Sequence, residues 1–125
     1  MLGDTEAVAM VAVRDMAKAA AFYEGVLGLQ VLDKQGDGVI TYRSGASKFN
    51  VYRSEFAGTN KATYALWNVG DKIAETAKAL AAKGVAFEHY DLPDLTLEGD
   101  VHVGGGMKVA WFRDPDGNIL SIVGV

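Results

Sequence analysis

The chain has no cysteine, only two prolines, only two histidines and no long apolar run, and each scarcity removes a class of explanation. Without thiols there are no disulfides, thiolate zinc sites, cysteine nucleophiles or thiolate-held iron–sulfur clusters, a usage that fits a reducing, cytoplasmic setting. With so little proline and half of its 125 residues apolar, the composition is not that of a disordered, collagen-like or mucin-like chain. The longest apolar stretches, residues 7–13 and 119–125, are about seven residues long, whereas a bilayer span needs roughly 20. The opening Met-Leu-Gly-Asp-Thr-Glu has neither the basic nor the apolar segment of a secretion signal, so export is not expected. Twelve Lys and Arg against sixteen Asp and Glu give a net charge of −4, with the basic residues scattered from Arg14 to Arg113. Neither nucleic acid nor a membrane is an expected partner. A chain of this length is expected to hold one core, or two small halves sharing one.

What is present is an internal repeat. At an offset of 56 residues Val13 falls on Val69, Asp15 on Asp71, Gly28 on Gly84, Leu29 on Val85 and Val31 on Phe87, without a gap. Each copy reads as an apolar run, an aspartate, an amphipathic stretch, a glycine and a further apolar run, which is strand, helix start, helix, helix stop and strand. Asp15 and Asp71 are natural N-caps, because a carboxylate accepts from the unpaired N–H groups of the first helical turn. Met16, Ala19, Ala20, Tyr23, Val26 and Leu27 recur at helical spacing in the first copy, as do Ile73, Ala74, Ala77, Leu80 and Ala81 in the second. Gly28 and Gly84 end the helices.

Strands are predicted over residues 7–13, 30–32, 39–43 and 48–53, then over 63–69, 85–90, 107–113 and 118–123. The fold class is therefore α+β, two tandem βαβββ modules at about 5–54 and 62–125 within a single domain, with 54–62 as linker and 91–106 as a mobile loop. Alternation sends Ala9, Val11 and Val13 towards the first helix and Ala65, Trp67 and Val69 towards the second. Val8, Met10 and Ala12, and in the repeat Tyr64, Leu66 and Asn68, take the other face. Two curved sheets with helices outside make a cup, for which a ligand pocket and a packed core are the two readings.

Val11-Ala-Val-Arg-Asp-Met-Ala-Lys-Ala-Ala-Ala-Phe-Tyr-Glu-Gly-Val-Leu-Gly-Leu29 and Ala110-Trp-Phe-Arg-Asp-Pro-Asp-Gly-Asn-Ile-Leu120 resemble the vicinal oxygen chelate superfamily, which holds glyoxalase I, extradiol dioxygenases, fosfomycin-resistance enzymes and bleomycin-resistance proteins. The resemblance implies paired βαβββ modules forming a cupped sheet. It also implies four metal-ligand positions, which fall here on Val8, Asn50, Tyr64 and Ser121. None is a good ligand for a divalent metal, since valine has no donor atom and neutral side-chain oxygens bind first-row metals weakly without carboxylate or imidazole beside them. No metal or other cofactor is carried over. The expected function is that of the bleomycin-resistance type: metal-independent binding, with possible sequestration, of a small, partly aromatic or apolar molecule.

The expected ligand-binding residues are Met10, Tyr52, Tyr64, His89, Trp111, Ile119 and Ser121. Tryptophan and tyrosine supply flat area with a polar handle, and methionine adapts to irregular shapes. The alternative is a glyoxalase- or dioxygenase-like lyase or oxidoreductase, working through a divalent metal placed elsewhere, or through His89 or Tyr64 as proton-transfer group. His102 reads as surface decoration, Asp114-Pro-Asp-Gly-Asn118 as a turn, and the glycines at 104–106 as a flexible joint rather than a phosphate loop. The carboxylates from Glu88 to Asp100 read as a solvated loop, or as an attraction for cationic ligands. By resemblance the expected assembly is a homodimer in which modules of two copies complete each cup.

Overall fold

A computed structural model describes residues 1–4 and 6–124; the expected module bounds at Thr5 and Val125 fall on the two residues outside that description. The fold is α+β, with strands and helices following the order of two βαβββ modules. Its contacts gather into two compact units, Met1–Asn60 and Lys61–Val125. Among the described residues no helix is long and apolar enough to cross a membrane.

The first unit holds β1 (Ala9–Val13), helix α1 (Met16–Ala20), a π-helical segment (Ala21–Val26), β2 (Gln30–Gln35), β3 (Val39–Ser44) and β4 (Ser47–Arg53). Its sheet order is β1-β4-β3-β2, with β1 and β4 parallel and the remaining pairs antiparallel. As expected, Asp15 caps α1: its carboxylate accepts from the N–H groups of Ala17 and Lys18 at 3.0 and 3.1 Å. The helix does not continue as one α-helix. From Ala21 it widens, so that Leu27 N–H donates to the carbonyl of Phe22, five residues back, at 2.9 Å. Gly28, at φ 74°, then turns the chain, and Leu29 N–H closes onto Tyr23 O at 2.9 Å. The segment turns Phe22 and Tyr23 onto the sheet, where Tyr23 meets Phe49 and Tyr42 with ring centroids 5.5 and 6.2 Å apart. Val11, Val13, Ile40, Tyr42, Phe49 and Val51 complete this core, all buried.

The second unit holds β5 (Thr63–Asn68), α2 (Ile73–Ala82), β6 (Phe87–Glu88), β7 (Thr96–Glu98), β8 (Val101–Gly104), β9 (Met107–Arg113) and β10 (Ile119–Gly124). Its sheet runs β5-β10-β9-β8-β7, and β6 pairs with β9. Two expectations are corrected here. Asp71 does not cap α2; it sits inside a 3₁₀ turn over Gly70–Lys72, and the residues at the cap positions of that turn and of the helix, Val69 and Lys72, make no side-chain cap bond. The reason lies upstream, where Asn68 Oδ1 accepts from Gly70 N–H at 3.1 Å and Gly70 takes φ 59°, spending the first turn on a tighter bend. Residues 91–106 are not wholly a loop, because β7 and β8 form a hairpin that extends the sheet. Its Gly104 has no room for a side chain: a Cβ there would lie 2.1 Å from the carbonyl oxygen of Asp94.

The helix α2 buries Ile73, Ala77 and Leu80. Ala110, Phe112, Leu120 and Ile122 form the buried sheet layer in register with Ala65 and Trp67. The Asp114–Asn118 turn is as expected. Asp114 Oδ1 accepts from the N–H groups of Asp116 and Asn118, both at 2.9 Å, and Oδ2 accepts from Asn118 Nδ2 at 2.7 Å.

Candidate functional site

Each sheet turns one face to its helix, and the expected ligand residues belong largely to the other. In the first unit the helix-free face carries Met10, Ala12, Asn50, Tyr52 and Thr41, because Met10 pairs with Asn50, Ala12 with Tyr52 and Thr41 with Asn50. Met10 is 47% exposed, high for a methionine in mid-strand, and its sulfur accepts from Asn50 Nδ2 at 3.3 Å. Asn50 Oδ1 is buried and has no hydrogen-bond partner among the described residues. Val8 lies just before β1 and is 37% exposed.

In the second unit Trp111 pairs with Ser121 and Val109 with Val123, so these four share the helix-free face, while Phe112 and Ala110 take the helix side. Ser121 is buried and Trp111 half-buried. Leu66, in register with Ser121, is 58% exposed. Ile119 stands opposite Arg113 and is buried. Tyr64 is the residue that a register shift between β5 and β10 passes over, as Thr63 pairs with Ile119 and Ala65 with Leu120.

Trp111 is the centre of an aromatic group. Its ring meets Tyr90 at 5.1 Å and His102 at 4.9 Å between centroids, both edge to face. His102 is the main correction to the sequence reading. It is 1% exposed rather than a surface residue, because β8 carries it onto the sheet opposite Val109. Its Nε2 accepts from the Tyr90 N–H at 2.9 Å, and its Nδ1 is buried with no hydrogen-bond partner among the described residues. A signal for this placement was present: Thr96-Leu-Glu and Val101-His-Val flank Gly99-Asp100, the composition of a two-residue hairpin turn.

β6 ends at Glu88, and His89 lies beyond it, half-exposed, with Nε2 2.8 Å from Asp100 Oδ1. Phe87 packs on Phe112 on the helix side, with centroids 5.8 Å apart. Glu88 holds the Nε of Arg113, and this hydrogen bond keeps the guanidinium protonated above its ordinary value.

The four positions that the family resemblance assigns to a metal do not suit one. Val8 offers no donor, and Asn50, Tyr64 and Ser121 offer neutral oxygens only. Among the described residues no group of three or more His, Asp or Glu side chains is placed to hold a metal ion. A cavity of about 340 Å³ does exist in the second unit, on the helix side of its sheet. It lies between the turn at Gly70 and Asp71, the β8–β9 hairpin at Val103 and Lys108, and Gly124, and it shares no residue with the expected ligand set.

The family model of the glyoxalase/bleomycin resistance protein/dioxygenase superfamily matches residues 7–122. No curated protein matches the sequence. Among solved structures, a glyoxalase family protein from Enterococcus faecalis is similar with a TM-score of 0.74 at 18% identity, over 98% of this chain and 99% of that one. Lactoylglutathione lyase from Agrobacterium tumefaciens gives 0.71 at 18% identity, covering 97% of this chain and 93% of its own. A fosfomycin resistance protein from Listeria monocytogenes gives 0.72 at 14% identity, covering 98% and 91%. At these identities the likeness is one of fold, and chemistry has to be read from the side chains. With the family model spanning nearly its whole length, the chain belongs to the glyoxalase/bleomycin resistance protein/dioxygenase superfamily.

Proposed function

We propose that this protein binds a small, partly aromatic or apolar molecule without a metal ion, on the helix-free faces of its sheets, and sequesters it in the manner of bleomycin-resistance proteins. The observation that carries this reading is the set of side chains at the family's metal positions, Val8, Asn50, Tyr64 and Ser121, which together supply no carboxylate and no imidazole. The half-buried Trp111, edged by Tyr90 and His102, supports it as a stacking surface. In the other unit Met10 and Tyr52 supply adaptable and flat apolar area. A homodimer in the cytoplasm belongs to the same proposal; β1 and β5 each stand at one end of the strand order of their own sheet.

The test is native mass spectrometry of freshly isolated protein alongside a Trp111→Ala variant. The reading expects a retained organic mass of a few hundred daltons that the variant loses while its circular dichroism stays native. Retention undiminished in the variant would move the ligand away from this face.

A second reading, a lyase or oxidoreductase, is favoured by one contact. The 2.8 Å pairing of His89 with Asp100 is how a carboxylate orients an imidazole for proton transfer, and the pair is open to solvent. Under that reading His89→Gln abolishes turnover of a substrate while leaving its binding intact.

A further inference from the structure

We infer that the molecule bound on the helix-free face of the second unit carries a carbonyl or carboxylate oxygen beside its planar part, and that His102 recognises this oxygen through Nδ1–H. The inference rests on the binding function proposed above and names the ligand class of that site.

The tautomer follows from one hydrogen bond. A backbone N–H only donates, so the 2.9 Å contact from Tyr90 N–H requires a lone pair on His102 Nε2. The proton of the neutral ring is then on Nδ1. Among the described residues that N–H has no acceptor: the imidazole is 1% exposed, Nδ1 has no hydrogen-bond partner there, and the rings meeting it belong to Trp111, Tyr90 and His89. Of the carboxylates near this group, Asp100 is engaged by His89 and Glu88 by Arg113. Across the sheet His102 stands between Leu97 and Val109, which offer only backbone groups and hydrocarbon.

A buried donor without an acceptor is unfavourable, and in native proteins it calls for a water, an ion or a ligand to complete it. His102 shares its sheet face with Val109, Trp111 and Ser121, so a planar molecule stacked on Trp111 brings its substituents to this donor. Because Nδ1 is closed to solvent, an acceptor reaches it only when one of the rings around it, Trp111, Tyr90 or His89, turns aside. Binding therefore moves an aromatic ring as well as filling a hydrogen bond. A molecule of the same shape without an acceptor leaves Nδ1–H unpaired and binds more weakly.

Two matched probes test this, 2-naphthoate and 2-naphthylmethylamine, titrated against the full chain while the Trp111 indole N–H and the His102 ring nitrogens are followed by NMR. In the unliganded protein the ring proton is expected on Nδ1, and naphthoate shifts both Nδ1–H and the Trp111 indole. His102→Gln places its Oε1 near the old Nε2 and keeps an acceptor for Tyr90, but has no donor at the Nδ1 position. It is expected to lose about tenfold in naphthoate affinity, one hydrogen bond's worth, with naphthylmethylamine unchanged. His102→Asn, which returns an amide N–H near Nδ1, is expected to regain most of the naphthoate affinity. A ring proton on Nε2, or equal effects of His102→Gln on both probes, overturns this inference and leaves the binding face standing. Failure of both probes to bind overturns the binding face, and the inference with it.

Discussion

Replacing Tyr42 by Phe probes how the widened helix segment is held to the first sheet. Tyr42 is fully buried and its hydroxyl donates to Glu24 Oε2 at 2.9 Å, so one hydrogen bond ties the π-helical segment to β3. A hydrogen bond to a charged group is worth about 1.5–3 kcal/mol when its loss leaves the charge behind. Taking about 2 kcal/mol, and an unfolding entropy of about 2.1 cal/mol/K per residue, the melting temperature should fall by about 8 °C. The same contact makes the effect dependent on pH. Burial first, and then the bond and charge of Glu24, raise the Tyr42 phenol above its ordinary value of 10.0. Between those two values only the unfolded state releases the proton. The contribution is therefore complete below about pH 10 and is lost as pH rises towards the folded value, at up to about 1.4 kcal/mol per pH unit. Urea unfolding of both proteins by circular dichroism from pH 8 to 11.5 measures this directly. The stability gap between native protein and Tyr42→Phe should be constant up to about pH 10 and then close. A gap below about 0.5 kcal/mol at pH 8, or one that widens in alkali, would refute the argument.

The two aspartates that the repeat places in register should behave differently. Asp15→Ala removes a carboxylate accepting two N–H groups and should cost about 1 kcal/mol, whereas Asp71→Ala removes no cap and should stay within about 0.5 kcal/mol. Equal losses in urea unfolding would contradict the assigned cap geometry. Gly104→Ala forces a Cβ against the Asp94 carbonyl and should destabilise by about 1–3 kcal/mol or release the hairpin, visible as faster amide exchange over residues 96–104. Unchanged exchange there would mean that the hairpin does not close over Gly104.

The repeat made the architecture readable, because strand alternation, capping aspartate and stop glycine recur at one offset. The buried layer of Val11, Val13, Ala110 and Phe112 follows from alternation alone. What escaped was decided by small local competitions. A π-helical segment of six residues is hard to tell from an α-helix by spacing, since both bring Phe22 and Tyr23 to one side. Asp71 has the residue type of an N-cap, but Gly70 and the Asn68 side chain consume its turn. His102 looked external because its surroundings are rich in glycine and acid. The pairing of β7 with β8, a tertiary outcome of a Gly-Asp turn, is what buries it. Trp111 was legible as a site candidate by strand parity, whereas its edge contacts with Tyr90 and His102 depend on that hairpin and were not.

With Val8, Asn50, Tyr64 and Ser121 at the family's metal positions, the proposed binding is expected to need no divalent ion. Equilibrium dialysis of the chelator-treated protein against nickel, zinc, manganese and iron(II), each at 10 μM and followed by elemental analysis, tests it most directly. Well under about 0.1 ion per chain is expected for every metal, the level of weak neutral-oxygen sites. About one ion per chain, lost on mutating Asn50 or Ser121, would contradict it.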